Sequence, residues 1–452
     1  MALSRVFVAN RGEIAVRIVR ACRSLGLESV VGVSDADRES LAAESADRAV
    51  VLGPAPARDS YLNANLLVHA AKATACDALH PGYGFLSESA ALVSLCEREG
   101  IAFVGPRADT IERLGDKLMA RAIAAEAGVP VVPGSGAIRS AAEARKFAAR
   151  IGYPVLMKAS AGGGGRGMFV ARTDKDIDDG FERASAEAEA AFGDGALFAE
   201  RFVEDARHVE VQIMGDGAGT VVHFGERDCS VQRRFQKMVE EAPAASLPAE
   251  ARAHIHAAAC RLARHLDYRS AGTVEFLYDT ARGEAYFIEA NVRIQVEHPV
   301  TEEITGIDLI AEQLRIAGGG GLSVAQEDIA PSGHAIECRI NAEAPERAFA
   351  PSPGLIDAWC VPEGQGIRID SHCRAGALVP PFYDSMIAKL IVRAGSRAEA
   401  VARMGGALAD FRIGGIDTNL AFQARLVRHP DFAANRLNTR WLEDVFMPSL
   451  VH

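Results

Sequence analysis

The chain has 452 residues, 49% of them apolar and 24% charged, which describes a globular protein of two to three domains with ample core. Its net charge of −11 argues against nucleic acid or an anionic membrane as the main partner. Eight cysteines with no C-x-x-C pair exclude a disulfide frame and a zinc site, and no apolar run has signal-peptide or membrane-span length, so a cytoplasmic setting is expected.

The first elements alternate. Residues 5–9 read as a strand, followed by a helix with Ile14, Ile18, Cys22 and Leu25 at apolar positions and charges at Glu13, Arg17, Arg20 and Arg23. Strands near 29–33 and 49–52, a helix over 64–73, a strand at 77–80, a helix over 90–99 and a strand at 101–105 complete the pattern. That order predicts a parallel, Rossmann-like α/β unit ending near residue 110. It lacks a G-x-G-x-x-G after the first strand, with Gly12 alone present, so no dinucleotide is assigned to it. Residues 130–136 are a linker by composition, and Ser140-Ala141-Ala142-Glu143 is a capping box for a helix stopping at Gly152. A strand over 153–158 then feeds the run Gly162-Gly163-Gly164-Gly165, giving a small mobile subdomain over about 134–204. The rest is mixed α and β, and Gly318–Gly321 ends a helix and leads into a C-terminal lobe.

Two acidic residues on paired strands carry the most chemistry. Residues 273–278 and 285–289 alternate like half-buried strands, joined by turn residues 279–284. A hairpin symmetric about Arg282 sets Glu275 opposite Glu289, with Asn291 further along the same face. Facing carboxylates destabilise a sheet unless something neutralises them, and with an amide oxygen they suit Mg²⁺ shared with phosphates. A solvated acidic edge is the alternative, but the strands around this pair are apolar. The glycine run leaves backbone N–H groups free to wrap an anion, with Lys158 at the preceding strand end, although no G-K-[ST] follows. Residues 226–237 place four basic side chains after an apolar strand, which points the segment into a cleft.

The whole chain resembles the biotin carboxylases, the ATP-grasp enzymes of acyl-CoA and pyruvate carboxylases. The resemblance rests on Ala9-Asn10-Arg11-Gly12-Glu13-Ile14-Ala15, His80-Pro81-Gly82-Tyr83-Gly84-Phe85-Leu86-Ser87-Glu88, the glycine loop, residues 226–237, residues 293–302, Glu337-Cys338-Arg339-Ile340-Asn341-Ala342-Glu343, residues 380–386 and residues 415–419. It implies a Rossmann-like domain over 1–114, an ATP-grasp domain over 115–330 with a glycine-rich lid, and a C-terminal biotin carboxylase domain over 331–452. Glu275, Glu289 and Asn291 would hold Mg²⁺ (or Mn²⁺) on ATP. Lys117, Lys158 and the glycine loop would hold phosphates, and Glu200-Arg201-Phe202-Val203 would offer adenine an edge. His208, Gln232 and Phe235 would line the nucleotide site. Lys237, Arg293, Gln295 and the backbone of Val296 would bind bicarbonate, with Glu297 as the base. Arg339 would stabilise the biotin enolate, and Tyr83 would lie beside the biotin ring.

The implied function is ATP-dependent carboxylation of biotin through carboxyphosphate, the first half-reaction of an acyl-CoA carboxylase such as that of fatty acid biosynthesis. No Met-Lys neighbour sits in a biotin-accepting context, so biotin is expected on a separate biotin carboxyl carrier protein, with separate carboxyltransferase subunits and a homodimeric carboxylase. Three positions depart from the family pattern: Phe235 stands where a hydrogen-bonding residue is expected, Val292 replaces Thr, and Ala161 replaces a loop glycine. They leave a nucleotide-binding regulatory pseudoenzyme as a rival. The set Lys237, Arg293 and Glu297 argues against another ATP-grasp ligase that activates a different carboxylate. The corresponding subunit of a pyruvate or other carboxylase remains an alternative, because the acceptor is chosen by the carboxyltransferase.

Overall fold

The computed structural model describes residues 3–160 and 168–450. The glycines at 162–165 and Ala161, singled out above, lie outside the described residues.

The N-terminal alternation folds as a five-stranded parallel sheet, β1 (Arg5–Val8), β2 (Glu28–Ser34), β3 (Arg48–Gly53), β4 (Ala78–His80) and β5 (Ala102–Phe103), in the order β3-β2-β1-β4-β5. The helix after β1, α1 (Gly12–Ser24), keeps Ile14, Ile18 and Cys22 in the core. Its charges divide differently from a solvated stripe, because Glu13 and Arg17 are buried as well. Each has a partner that no local pattern announces: Arg17 Nη2 lies 2.7 Å from Glu302 and 2.6 Å from Asp308, and Glu13 Oε1 lies 3.0 Å from Lys389 Nζ.

Residues 134–204 contribute a three-stranded antiparallel sheet, β6 (Val155–Ala159), β7 (Phe169–Ala171) and β8 (Leu197–Arg201), flanked by helices Ala141–Ile151 and Asp174–Phe192. The capping box is only half formed. Ser140 accepts from Glu143 N–H, but the Glu143 carboxylate reaches back to Arg139 N–H, one residue earlier than the motif requires. The stretch over 130–136 is tied down rather than free, since Phe287 N–H donates to Pro130 O at 2.7 Å and Ser135 N–H to Ala199 O at 2.8 Å.

An eight-stranded antiparallel sheet carries the rest. It comprises β9 (Ala206–Asp216), β10 (Val221–Arg233), β11 (Gln236–Ala242), β12 (Arg269–Asp279), β13 (Glu284–Asn291), β14 (His334–Asn341) and two strands at Ile367–Ser371 and Met386–Ala394. Their order is β13-β12-β9-β10-β11-β14, then Met386–Ala394, then Ile367–Ser371. One sheet therefore runs from the acidic hairpin into the C-terminal lobe, through Glu240 opposite Glu337. One apolar cluster joins Val6, Val8, Ile14 and Ile18 of the N-terminal unit to Met214, Phe224, Ile294 and Leu309, which fixes the large sheet against α1. Among the described residues no helix is long and apolar enough to cross a membrane.

Candidate active site

The β12–β13 hairpin aligns Glu275 with Glu289 and Thr273 with Asn291, as the alternation predicts. The symmetry about Arg282 fails nearer the turn, where Phe276 faces Phe287. A bulge there leaves Ile288 as the extra residue and moves every turn-proximal pair by one. The acidic pair survives because the slip occurs between it and the turn.

The row continues across the sheet. Glu210 on β9 lies opposite Glu275, and Arg227 on β10 lies opposite Glu210, giving Glu289, Glu275, Glu210 and Arg227 on four neighbouring strands. Arg227 is one of the four basic residues expected to enter the cleft, whereas Glu210 escaped the sequence reading, although a signal exists. His208, Glu210 and Gln212 alternate with Val209, Val211 and Ile213, a polar stripe on one face of a strand.

Adjacent carboxylates need cations, and the structure supplies them to Glu210 and Glu275. Lys237 Nζ sits 2.6 Å from Glu210, 3.2 Å from Glu275 and 2.7 Å from Glu297. Arg227 Nε holds Glu210 at 2.5 Å. Burial pushes Glu210 and Glu275 upward, but the charges of Arg227 and Lys237 on the first, and of Lys237 and His208 on the second, hold both below the ordinary carboxylate range. Burial opposes a charge on Lys237 too, yet its ring of anionic neighbours raises its pKa well above that of a free lysine.

Glu275 is fully engaged. Its Oε1 accepts from Asn291 Nδ2 at 2.6 Å and Gln295 Nε2 at 3.0 Å, and its Oε2 faces His208 Nε2 at 2.5 Å. His208 Nδ1 in turn faces the Gln232 amide at 2.6 Å, so Gln232 orients the ring that orients Glu275. Glu289 differs: its carboxylate is exposed to the cleft and takes no side-chain hydrogen bond among the described residues. Enclosure in the cleft and then the Glu275 charge hold it above the ordinary range. Two facing carboxylates, one fully held and one open, with the Asn291 amide between strands, are hard oxygen donors whose chemistry fits Mg²⁺ or Mn²⁺.

The segment after β13 packs beneath this row. Arg293 Nη1 donates to Gln295 Oε1 at 2.7 Å and Nη2 to Asn291 Oδ1 at 3.2 Å, while Glu88 stands 3.4 Å from its Nε. Glu297 is completely buried, with Lys237 at 2.7 Å on one oxygen and Arg339 Nη2 at 3.0 Å on the other. Burial and the Glu210 charge raise its pKa, and Lys237, Arg339 and Arg227 outweigh them, so Glu297 is held below the ordinary range and stays ionised at neutral pH. Arg339 also donates through Nε to Glu240 at 2.6 Å. Glu240, another residue the sequence reading missed, is driven up to about 7 by burial against the opposing pull of Arg339.

One cavity of about 580 Å³ is shared by Tyr83, His208, Phe235, Lys237, Glu275, Glu289, Asn291, Arg293, Gln295, Val296 and Arg339. Glu297, Lys117, Lys158, Glu200 to Val203 and Gln232 are absent from that lining, and Glu297 meets it through its partners Lys237 and Arg339. Lys117 still feels the Glu289 charge, although burial lowers its pKa first. Lys158 Nζ pairs with Glu200 at 2.6 Å, and Arg121 holds the other oxygen of the same carboxylate. Along the expected adenine edge, Arg201 N–H donates to Pro133 O and Phe202 N–H to Pro154 O. Val203 N–H has no backbone acceptor among the described residues.

Phe235 projects from the tip of the β10–β11 hairpin, 64% exposed, with φ of +65° after Arg234 at +48°. Two consecutive left-handed residues make a tight turn in which Asn and His are tolerated far better than a phenyl-bearing residue. The hydrogen-bonding residue expected there thus has a backbone reason as well as a ligand reason.

Comparison with known proteins gives one family along the chain. Residues 2–111 match the biotin carboxylase N-terminal domain, 116–325 the ATP-binding domain of the carbamoyl-phosphate synthase L chain, and 337–444 the biotin carboxylase C-terminal domain. The chain is 50% identical to biotin carboxylase 1 of Bacillus subtilis strain 168 over 442 residues, 98% of each protein. The fold superposes with a TM-score of 0.94 on the biotin carboxylase domain dimer of Hydrogenobacter thermophilus 2-oxoglutarate carboxylase in complex with MgADP, ADP and bicarbonate, at 46% identity over 98% of both chains. It superposes equally, at 0.94 and 44% identity over 97% of this chain and 98% of the other, on a biotin carboxylase–βγ-ATP complex from Campylobacter jejuni.

Proposed function

The chain belongs to the biotin carboxylase family, and from that membership we propose how its own residues divide the work of an ATP-grasp ligase that carboxylates biotin with bicarbonate. The observation that carries the assignment is Glu297, a buried ionised carboxylate clamped between Lys237 and Arg339, two cations that line the cavity together with Glu275 and Glu289.

Bicarbonate is a weak nucleophile, so a fixed carboxylate beside it raises its reactivity by taking its proton. Arg293, Lys237, Gln295 and the Val296 backbone hold the anion, and Glu297 is that base. The freed oxygen forms a bond to the γ-phosphorus of ATP as the bond to the β-phosphate oxygen breaks, giving carboxyphosphate and ADP. Glu275, Glu289 and Asn291 would hold Mg²⁺ or Mn²⁺, which neutralises charge on the phosphates when bound. Lys117 and Lys158 pair with phosphate oxygens, Val203 N–H meets the adenine edge, and His208 and Gln232 keep Glu275 aimed. Carboxyphosphate collapses to CO₂ and phosphate beside biotin, the phosphate takes the biotin N1 proton, and the resulting enolate forms an N1–C bond to CO₂, with Arg339 on its oxygen and Tyr83 against the ring.

Biotin arrives on a separate carrier protein and leaves for a carboxyltransferase, most simply that of an acyl-CoA carboxylase in fatty acid biosynthesis, the carboxylase itself working as a homodimer. The chain's free thiols fit a cytoplasmic setting. The deciding experiment is bicarbonate-dependent ATP hydrolysis stimulated by free biotin. ATP binding without turnover would replace this reading with the pseudoenzyme, and recovery of pyruvate- or 2-oxo-acid-specific partners in a pull-down would change the acceptor.

Two substitutions refine the roles. Arg339→Ala should abolish carboxylation of free biotin while bicarbonate-dependent ATP hydrolysis persists at a reduced rate, because Lys237 still holds Glu297. Equal loss of both activities would make Arg339 a bicarbonate or phosphate ligand instead. Phe235→His should lower the KM for ATP by a few-fold, the worth of one neutral hydrogen bond, and leave kcat nearly unchanged. Its Tm should not fall, since histidine suits the left-handed position better. Parameters that do not move at all would place residue 235 out of reach of the nucleotide.

A further inference from the structure

We propose that Lys389 is a positioning residue that sets the peptide entering Glu297 and, through Glu13, the hydroxyl of Tyr83, so that one buried cation aligns the bicarbonate and biotin walls of the cavity. Lys389 is wholly buried on the strand Met386–Ala394, where its neighbours in sequence are Ala388 and Leu390. Its Nζ donates to Val296 O at 2.8 Å and pairs with Glu13 Oε1 at 3.0 Å. The same Glu13 oxygen accepts from the Tyr83 hydroxyl. An unbroken chain of three polar contacts thus joins Tyr83, Glu13, Lys389 and Val296, drawn from the N-terminal unit, the C-terminal lobe and the segment carrying the base.

The Val296 carbonyl belongs to the peptide that ends at the Glu297 nitrogen. Anchoring that oxygen fixes the plane from which the Glu297 side chain departs, one residue from its clamps on Lys237 and Arg339. Stability alone does not explain such a pair. Burying both charges is costly, and apolar replacements are often as stable, whereas a buried pair admits a single arrangement of its partners. Lys389 has a further use for its charge on the same face of the sheet. Arg339 and Asp370 flank it in register, and the Glu337 carboxylate, two residues before Arg339, has no hydrogen-bond partner on either oxygen among the described residues. Removal of Lys389 would leave Glu13 with the like charge of Asp370, and Glu337 with those of Glu240 and Glu297 against Arg339 alone.

The inference rests on the division of roles proposed above, and the experiment separates the two. In the full-length wild type, bicarbonate-dependent ATP hydrolysis and carboxylation of free biotin establish that reading, and their absence would sink both. With that activity in hand, Lys389→Met should lower kcat/KM for bicarbonate roughly 10- to 100-fold, the loss expected from one charged hydrogen bond, and leave the KM for ATP within about twofold. Glu13→Gln, which keeps an oxygen for Lys389, should raise the KM for free biotin several-fold with bicarbonate kinetics close to wild type. The double variant Lys389→Met/Glu13→Gln removes the pair together and should show both defects while remaining folded. A folded Lys389→Met with unchanged bicarbonate kinetics, or with the KM for ATP rising in step, would overturn the proposal. Should Lys389→Met fail to fold, an unchanged KM for biotin in Glu13→Gln would do the same.

Discussion

Replacing Glu297 with Gln is expected to lower bicarbonate-dependent ATP turnover by roughly 10²- to 10⁴-fold, the usual worth of a positioned general base. The amide cannot accept a proton from bicarbonate, and its N–H face must turn toward either Lys237 or Arg339, each now held at 2.7 and 3.0 Å by a carboxylate oxygen. The variant should also lose stability at neutral pH, on the order of 3–5 kcal/mol, as for a buried ion pair broken from one side. The pH dependence has a definite sign. Because the Glu297 pKa is held below its ordinary value, its contribution to stability is complete above the ordinary carboxylate range and fades as pH falls through the depressed folded value. The Tm gap between wild type and variant should therefore be widest near neutrality and close in strong acid. Full turnover in the variant, with bicarbonate still required, would remove Glu297 from the base role.

Local pattern made the strands and helices around the site legible, and long-range pairing hid much of its chemistry. The 3.6-residue spacing of Ile14, Ile18 and Cys22 marks α1, and alternation about Glu275 and Glu289 marks the acidic hairpin with its functional register intact. The bulge at Ile288 left no trace in composition, because a single extra residue between two apolar runs preserves their appearance. The burial of Glu13 and Arg17 has no local sign, because their partners, Lys389 and Glu302, lie hundreds of residues away in sequence. The continuity of the sheet from β11 into β14 is equally nonlocal, joining residues about a hundred positions apart. A lone lysine inside the apolar run Ile387-Ala388-Lys389-Leu390-Ile391 was a usable sign of a buried charge. The roles of Arg339 and Tyr83 came from the family resemblance, since nothing in their immediate neighbours distinguishes them from structural residues.

Glu289 offers the sharpest separation of catalysis from folding. Glu289→Gln keeps the shape of the side chain and removes one of the two charges that would bind the divalent cation, so turnover should drop by about 100-fold or more. The effect on the metal-free protein runs the other way. Enclosure and the facing Glu275 charge raise the Glu289 pKa in the folded state. Any stability it contributes is therefore present in acid, below the unfolded carboxylate range, and is lost as pH rises through the folded value. At neutral pH the ionised side chain repels Glu275, which Lys237 and His208 already neutralise. Neutralising Glu289 relieves that repulsion, and the metal-free variant should melt at the same temperature as wild type or higher. Added MgATP should raise the wild-type Tm by mass action, about 2.7 kcal/mol at a hundredfold excess over Kd, while the variant responds weakly at the same concentration. A variant that keeps both its turnover and its MgATP-dependent shift would show that the cation is held elsewhere, with the fully buried neighbour Glu210 next in the same row.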